Sequence, residues 1–250
     1  EGRKVNQKDP NAYFSSATPD IMRFWFEVYM AQLAGAVVDQ NKKVAFTEEQ
    51  GTQAFTYFKR WFDERIVAPF PQTSIFYQKF QENPSWINNK MATAWDWVSS
   101  MERDIGAKKN IETRQFPVMK GAKNTGVLMR PSQIMVVNNN SKNKAEAIKV
   151  LNYLFTDPQA IEILGTARGI PSTVSGRKIL AEKNLISRMA EKATNEGIAQ
   201  AGLPQSVWQM NSEVIQTMQD VIDEFGFGKL TPQEASAKLI KDLNATLANL

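Results

Sequence analysis

Cysteine and histidine are both absent from the 250-residue sequence. Without cysteine the chain can form no disulfide bond, no thiolate nucleophile and no cysteine-ligated zinc site. Without histidine it lacks the side chain that serves most often as general base and as metal ligand. The two absences exclude Ser-His-Asp and Cys-His catalytic sites and zinc hydrolases, and they leave carboxylate-pair chemistry open. The sequence therefore predicts neither a metal site nor a cofactor.

Long apolar runs and blocks of one charge are also missing. No run of about 18 or more apolar residues occurs, which is the length that a membrane-spanning helix needs. The 30 Lys and Arg residues exceed the 26 Asp and Glu residues, but both signs alternate along the chain and form no basic stripe. Nucleic acid is therefore not an expected partner. A hydrophobic content of 42% is enough for one large domain or two unequal lobes.

Helix signals dominate the pattern. Thr18 before Pro19 and Asp20 predicts a helix start, and capping-box spacing after Thr47 and Thr231 predicts two more. Trp61 falls on the apolar stripe of the second of these helices and is assigned to the core. The main predicted helices cover residues 21–33, 47–62, 144–155, 156–164, 207–225 and 231–247.

Short strands are predicted between the helices. Arg130, Pro131 and Ser132 interrupt two of them and predict a bend or crossing point, because proline removes a ladder donor and fixes φ. The element order predicts a helix-rich α/β or α+β fold with four to six short strands. The β-prone runs cover residues 91–94, 111–118, 127–129 and 134–137, and a small hairpin is expected over 37–46.

The segment that follows the strand at 91–94 combines two indoles with a carboxylate: Trp95, Asp96 and Trp97. Ligands of open α/β sheets lie outside the carboxyl ends of the strands, so these three residues are candidate ligand contacts. The alternative is that the indoles are buried for packing, as tryptophan usually is. In an extended segment Trp95 and Trp97 point to one side and Asp96 to the other, so only one or two of them would face a ligand.

Three further residues are weaker candidates. Trp208 lies at the entry to the predicted helix over 207–225, where an aromatic side chain is also a common packing staple. Arg130 and Ser132 lie at the strand interruption, and functional polar groups collect on such loops. Trp25 and Tyr29 are assigned to core or interlobe packing.

A carboxylate pair of the glycosidase type is a competing interpretation. Asp96 with Glu102 or Asp104 would form it, but acidic residues at these positions after a helix start are usually solvated first-turn acids. The sequence therefore favours binding over catalysis, and we expect no enzymatic activity.

Five segments of the chain match a known pattern in the same order. They are Lys90-Met91-Ala92 before Trp95 and Trp97, Ser141-Lys142-Asn143-Lys144-Ala145-Glu146-Ala147, Thr156-Asp157-Pro158-Gln159-Ala160, Gly169-Ile170-Pro171 and Thr231-Pro232-Gln233-Glu234-Ala235. Together they resemble the sugar-binding proteins of bacterial ABC importers, the maltodextrin-binding type of family 1 extracellular solute-binding proteins. Asn89 stands where that family usually has glycine, and residues 130–133 replace a glycine pair that is common there.

The resemblance implies a periplasmic-binding-protein-like fold of type II. It covers only about the C-terminal three fifths of such proteins, so it implies a fragment that holds mainly the C-terminal lobe with part of the N-terminal lobe. The expected division is residues 1–130 in the C-terminal lobe, 131–165 as the hinge crossing with an N-lobe-like strand and helices, and 166–250 as C-terminal-lobe helices.

The resemblance also implies a function. Such a protein captures a carbohydrate outside the cytoplasm, in the periplasm or as a cell-surface lipoprotein, and delivers it as a monomer to ABC permease subunits. Its aromatic rings cover the sugar faces while polar groups reach the hydroxyls. The alternatives are a glycan-binding or interaction module without a transport role, and a carboxylate-based glycosidase. The implied ligand contacts are Trp95, Asp96, Trp97, Trp208, Arg130 and Ser132.

Overall fold

The computed structural model describes residues 2–101, 103, 110–128, 134–167 and 169–250. The chain folds into two compact units. Unit 1 comprises Glu1–Trp95, Phe116–Leu128 and Ala201–Leu250, and unit 2 comprises Asp96–Gln115 and Met129–Gln200. The sequence predicted a different kind of division, at residues 130 and 165, between the two lobes of a whole binding protein. That division stays a prediction.

Helices form most of the regular structure, and the helices predicted from caps and apolar periodicity are present. Thr47 and Thr231 both form complete capping boxes. In chain order the helices are α1 (Gly2–Lys8), α2 (Pro19–Leu33), α3 (Glu48–Asp63), α4 (Phe70–Thr73), α5 (Pro84–Ile87), α6 (Lys144–Thr156), α7 (Pro158–Leu164), α8 (Val174–Glu182), α9 (Arg188–Ala199), α10 (Ser212–Gly226) and α11 (Pro232–Asn249).

Two helix starts were placed wrongly by the sequence. The helix predicted from residue 207 begins at Ser212, because the side chain of Asn211 accepts the backbone N–H of Glu213 and caps it there. The helix predicted from residue 156 begins at Pro158, because Asp157 and not Thr156 caps it. The first correction matters for function, since it puts Trp208 in a turn and not on a helix.

A small parallel arrangement of extended segments organises unit 1. Strand β1 (Ser15–Ser16) pairs in parallel with β2 (Val67–Ala68). On the other side Tyr13 forms a parallel bridge with Met91, and the Thr93 N–H donates to the carbonyl oxygen of Phe14 at 2.8 Å. The strand predicted at 91–94 is thus present as this short pairing, and its carboxyl end leads into Trp95.

The other predicted strands are wrong within the part of the chain that the structure describes. Residues 111–118, 127–128 and 134–137 form no strand there. The side chain of Gln32 takes the place of a strand partner, since it donates to the carbonyl oxygens of Pro117 and Thr125 and accepts the N–H of Met119. The hairpin over 37–46 is confirmed by the antiparallel Val38 to Val44 bridge.

The core of unit 1 lies between α2, α3, α10 and α11. Gly51 permits the close approach of α3 to α11, because a Cβ at this position would lie only 2.2 Å from the Oγ of Ser236. That hydroxyl donates to the carbonyl oxygen of Glu48 at 2.8 Å. Trp25 is buried in this core, as predicted, and Trp61 packs against it partly buried.

Unit 2 has a smaller core, formed by Ile161, Leu180, Ile186 and Ala190. Helix α6 buries none of its residues. Several large apolar side chains of this unit are exposed. The most exposed among the described residues of this unit are Ile163 at 82%, Val136 at 81% and Val174 at 75%.

An acidic groove of about 570 Å³ runs between α10 and α11. Its charged lining consists of Asp220, Asp223, Glu224, Lys238 and Asp242. Burial raises the pKa of the Asp223 carboxyl, and nearby Asp220 adds to that effect. The groove lies on helices that carry none of the predicted ligand contacts.

Asp223→Asn is expected to raise the melting temperature at pH 7. The raised pKa means that the folded state disfavours the charged carboxylate more than the unfolded chain does, so ionisation costs stability above that pKa. Asparagine removes this cost and keeps an oxygen that can accept from Gln219. The gain should shrink as the pH falls through the Asp223 pKa, and thermal unfolding at pH 7 and pH 4 measures it. Asp63→Asn, on the exposed face of α3, is the control, and a variant that melts at or below wild type at pH 7 contradicts the prediction.

Candidate functional site

Trp95 is half-buried at the end of the segment that pairs with Tyr13. Its ring stacks on Phe116 with centroids 4.8 Å apart and meets Trp25 edge to face at 5.5 Å. One face of Trp95 is therefore used for packing, as the alternative interpretation of the sequence required. Its ligand role stays a prediction and concerns the part of the ring that remains accessible.

These contacts make Trp95 part of a larger aromatic cluster in unit 1. Neighbouring rings meet mostly edge to face or tilted, which is the favoured geometry for aromatic pairs. Such mutual packing fixes the orientation of each ring. The members of the cluster are Trp25, Tyr29, Tyr57, Phe58, Trp61, Trp95 and Phe116.

Asp96 and Trp97 open unit 2. The Asp96 carboxylate accepts the backbone N–H of Trp97 at 2.6 Å and lies 3.4 Å from the guanidinium of Arg103. It lies two residues before the 3₁₀ turn Val98–Ser100, outside the first turn of that element. Trp97 is half-buried. Asn89, where the resembling family has glycine, has a φ of +56°, a left-handed conformation that asparagine tolerates better than most residues.

Trp208 lies in a turn of unit 1 and is half-buried against the core. The segment that carries it is fixed to the hairpin over 37–46 by buried polar groups. Ser206 Oγ donates to the carbonyl oxygen of Val38 at 2.7 Å, and Gln209 Oε1 accepts the N–H groups of Val37 and Val38 at 3.0 and 3.1 Å. These contacts fix the backbone of the segment that carries the indole. Trp208 and Trp95 make no ring contact with each other within the described residues.

A buried ion pair in α2 supports the same turn. Arg23 and Glu27 pair at i, i+4 spacing while exposing only 7% and 3% of their surfaces. Gln205 donates from Nε2 to Glu27 at 2.8 Å, which ties the turn before Trp208 to α2. The Nε of Arg23 is buried and has no hydrogen-bond partner among the described residues. The sequence signal for this network is two opposite charges four residues apart in an otherwise apolar helix.

The remaining predicted residues lie outside the described part of the chain. They are Arg130 and Ser132, and also Glu102 and Asp104 of the competing carboxylate pair. Within the described residues, no group of acidic side chains is arranged to hold a metal ion. No described helix combines the length and apolar character needed to cross a bilayer.

Comparison with known proteins identifies relatives of this architecture. Residues 2–161 match the family of bacterial extracellular solute-binding proteins. A periplasmic oligogalacturonide-binding protein from Yersinia enterocolitica, solved with saturated digalacturonic acid, superimposes with a TM-score of 0.81 at 20% identity, over 99% of this chain and 64% of that one. A maltose/maltodextrin-binding domain from Bdellovibrio bacteriovorus, bound to maltotriose, gives 0.65 at 17% identity over 99% and 64%.

A de novo designed cysteine esterase also has this fold, with a TM-score of 0.84 at 21% identity over 99% of this chain and 63% of that one. The present chain contains no cysteine. At these identities the likenesses show the fold alone. The chain spans 63 to 64% of the length of these solved structures.

Proposed function

Because the chain belongs to the bacterial extracellular solute-binding proteins, we propose that it captures an oligosaccharide outside the cytoplasm and delivers it to an ABC importer. The observation that carries the carbohydrate assignment is Trp208, a half-buried indole held on a turn by buried hydrogen bonds. A pyranose has C–H-rich faces and a rim of hydroxyls. A rigid ring with polar groups beside it suits such a ligand, because stacking needs little loss of side-chain freedom.

The other candidates take complementary roles in this proposal. Trp95 offers the part of its ring that Phe116 and Trp25 leave accessible. Trp97 is proposed as a further stacking residue and Asp96 as an acceptor for sugar hydroxyls. Arg130 and Ser132 remain proposed hydroxyl contacts on the strength of the sequence.

Two of the structural neighbours support an oligosaccharide as the ligand class. One is described as an oligogalacturonide-binding protein and the other was solved with maltotriose. We propose that ligand binding shifts the whole protein toward a closed state, through its higher affinity for that state, and that permease subunits recognise the closed form. We further propose a monomer in the periplasm or anchored at the cell surface as a lipoprotein.

The proposed role is binding and not catalysis. Calorimetry of this chain and of the whole protein against neutral and acidic oligosaccharides, together with turnover assays on aryl glycosides, tests it. The expected result is binding of at least one oligosaccharide by the whole protein, weaker binding by this chain, and no release of the aryl group. Hydrolysis at an enzyme-like rate would replace the proposal with the glycosidase alternative, and absence of binding to every glycan by both the chain and the whole protein would overturn it.

A further inference from the structure

Lys42 lies beside the proposed stacking residue. Its ammonium nitrogen is 4.9 Å from the centroid of the Trp208 ring. The two residues are far apart in sequence, and three hydrogen bonds join the segments that carry them, from Ser206 to Val38 and from Val37 and Val38 to Gln209. The two segments that carry the lysine and the indole are therefore held next to each other.

The turn that carries Lys42 is unusually constrained. Lys42 has a φ of +63°, which side-chain-bearing residues adopt only at a cost in conformational energy. The carboxylate of Asp39 stabilises this turn by accepting the N–H groups of Asn41 and Lys43, each at 2.9 Å. The carboxylate of Asp39 is thus used for hydrogen bonds to the backbone of its own turn. In this turn the ammonium of Lys42 lies over the Trp208 ring, while Lys43 is exposed.

Lys42 also differs from several other lysines in its partners. Lys59, Lys90 and Lys238 each form an ion pair with an aspartate. Within the described part of the chain, Lys42 pairs with no carboxylate, and its contact is the ring of Trp208. An ammonium group beside an accessible indole offers a positive charge next to a stacking surface.

We propose that Lys42 and Trp208 form a subsite selective for an acidic sugar, a uronate residue of the bound oligosaccharide. This inference rests on the proposed function and adds the ligand class. The C–H face of the uronate stacks on Trp208, and its carboxylate projects from the ring rim toward the lysine. The flexible four-carbon stem lets the ammonium leave the ring face and reach that carboxylate. A neutral sugar has no carboxylate to which the ammonium could move. Lys42 therefore stays over the Trp208 ring and competes with the neutral sugar for that face.

The test is calorimetry of this chain with trigalacturonate and with maltotriose, for wild type and for Lys42→Met, Lys42→Arg and Lys43→Met. Methionine keeps the apolar stem and the same backbone requirement at position 42 while removing the charge. Lys42→Met should weaken trigalacturonate binding by about fivefold, the scale of one partly exposed ion pair. Lys42→Arg should retain the preference for trigalacturonate, and Lys43→Met should leave it unchanged. Added salt should reduce the preference in wild type.

Each outcome decides one claim. Equal or tighter binding of maltotriose by wild type, or an equal loss for both sugars in Lys42→Met, overturns the subsite and leaves the proposed carbohydrate function standing. An equal effect of Lys43→Met would mean that general surface charge and not this subsite is responsible. Failure of every sugar to bind wild type, in this chain and in the whole protein alike, would overturn the proposed function and the subsite with it.

Discussion

Glu27→Ala is expected to lower the free energy of unfolding by about 3 to 5 kcal/mol, the cost of leaving one member of a buried ion pair without its partner. Arg23 is nine-tenths buried and its Nε already lacks a partner among the described residues. Removal of Glu27 would take away the carboxylate that pairs with this guanidinium and leave the charge beside the ring of Phe24, 4.4 Å away. It would also free Gln205, whose amide donates to Glu27.

The chain supplies a matched control for this prediction. Lys59 and Asp63 form an ion pair at the same i, i+4 spacing in α3, but both side chains are about half exposed, at 51% and 56%. Asp63→Ala should therefore cost only about 0 to 0.5 kcal/mol. Urea unfolding of the two variants gives the comparison.

A double variant separates two contributions to the stability lost in Glu27→Ala, the unpaired charge of Arg23 and the lost packing of the Glu27 side chain. Arg23→Met with Glu27→Leu removes both charges and keeps most of the volume, so it should recover most of the lost stability. A difference of less than about 1 kcal/mol between Glu27→Ala and Asp63→Ala would contradict this prediction, since a buried pair and an exposed pair would then be equivalent.

Trp208→Ala is expected to weaken oligosaccharide binding by about 1 to 3 kcal/mol, the range for an anchoring aromatic residue. The indole supplies the stacking face, and no other described aromatic ring contacts it to take over that role. Trp97→Ala is expected to act in the same range. Calorimetry with the tightest oligosaccharide of the panel measures the change.

Trp86→Ala is the control for general destabilisation. Trp86 is a buried tryptophan of unit 1 that packs against Phe80, and it is not a member of the aromatic cluster that contains Trp95. Its replacement should lower the melting temperature and leave sugar affinity unchanged. A loss of affinity in Trp86→Ala equal to that in Trp208→Ala would mean that the effect reports unfolding and not contact with the ligand.

Local signals predicted the helices well, because helix ends depend on neighbouring residues. The capping boxes at Thr47 and Thr231 and the start of α2 at Pro19 follow from contacts within one turn. The membership in the solute-binding family is likewise confirmed, since the matched residues 2–161 include three of the five resembling segments.

The strands failed because a strand requires a partner that its own sequence does not specify. The β-prone run at 111–118 has the right composition, yet the Gln32 side chain satisfies part of this region's backbone. No local pattern indicates that a glutamine over 80 residues earlier will do so. The parallel pairing of β1 with β2 was missed for the same reason, since only two residues of each strand take part.

The candidate site was only partly predictable. Trp95 and Trp208 stood out as aromatic residues near element ends, but their surroundings depend on long-range contacts. The ring of Phe116 covers one face of Trp95, and Lys42 lies over Trp208 from a distant hairpin. The sequence therefore indicated Trp95 and Trp208 as candidate ligand contacts, but it could not indicate which faces of their rings remain accessible.

The most direct test of carbohydrate binding follows the indole N–H signals of the six tryptophans by NMR during titration with an oligosaccharide. Binding at the proposed site predicts that the signals of Trp208 and Trp97 shift in proportion to binding, with a smaller shift for Trp95. The signal of Trp86, which is 93% buried and packs against Phe80, should stay in place. Saturable binding that leaves Trp208 and Trp97 unshifted while moving Trp86 would contradict it.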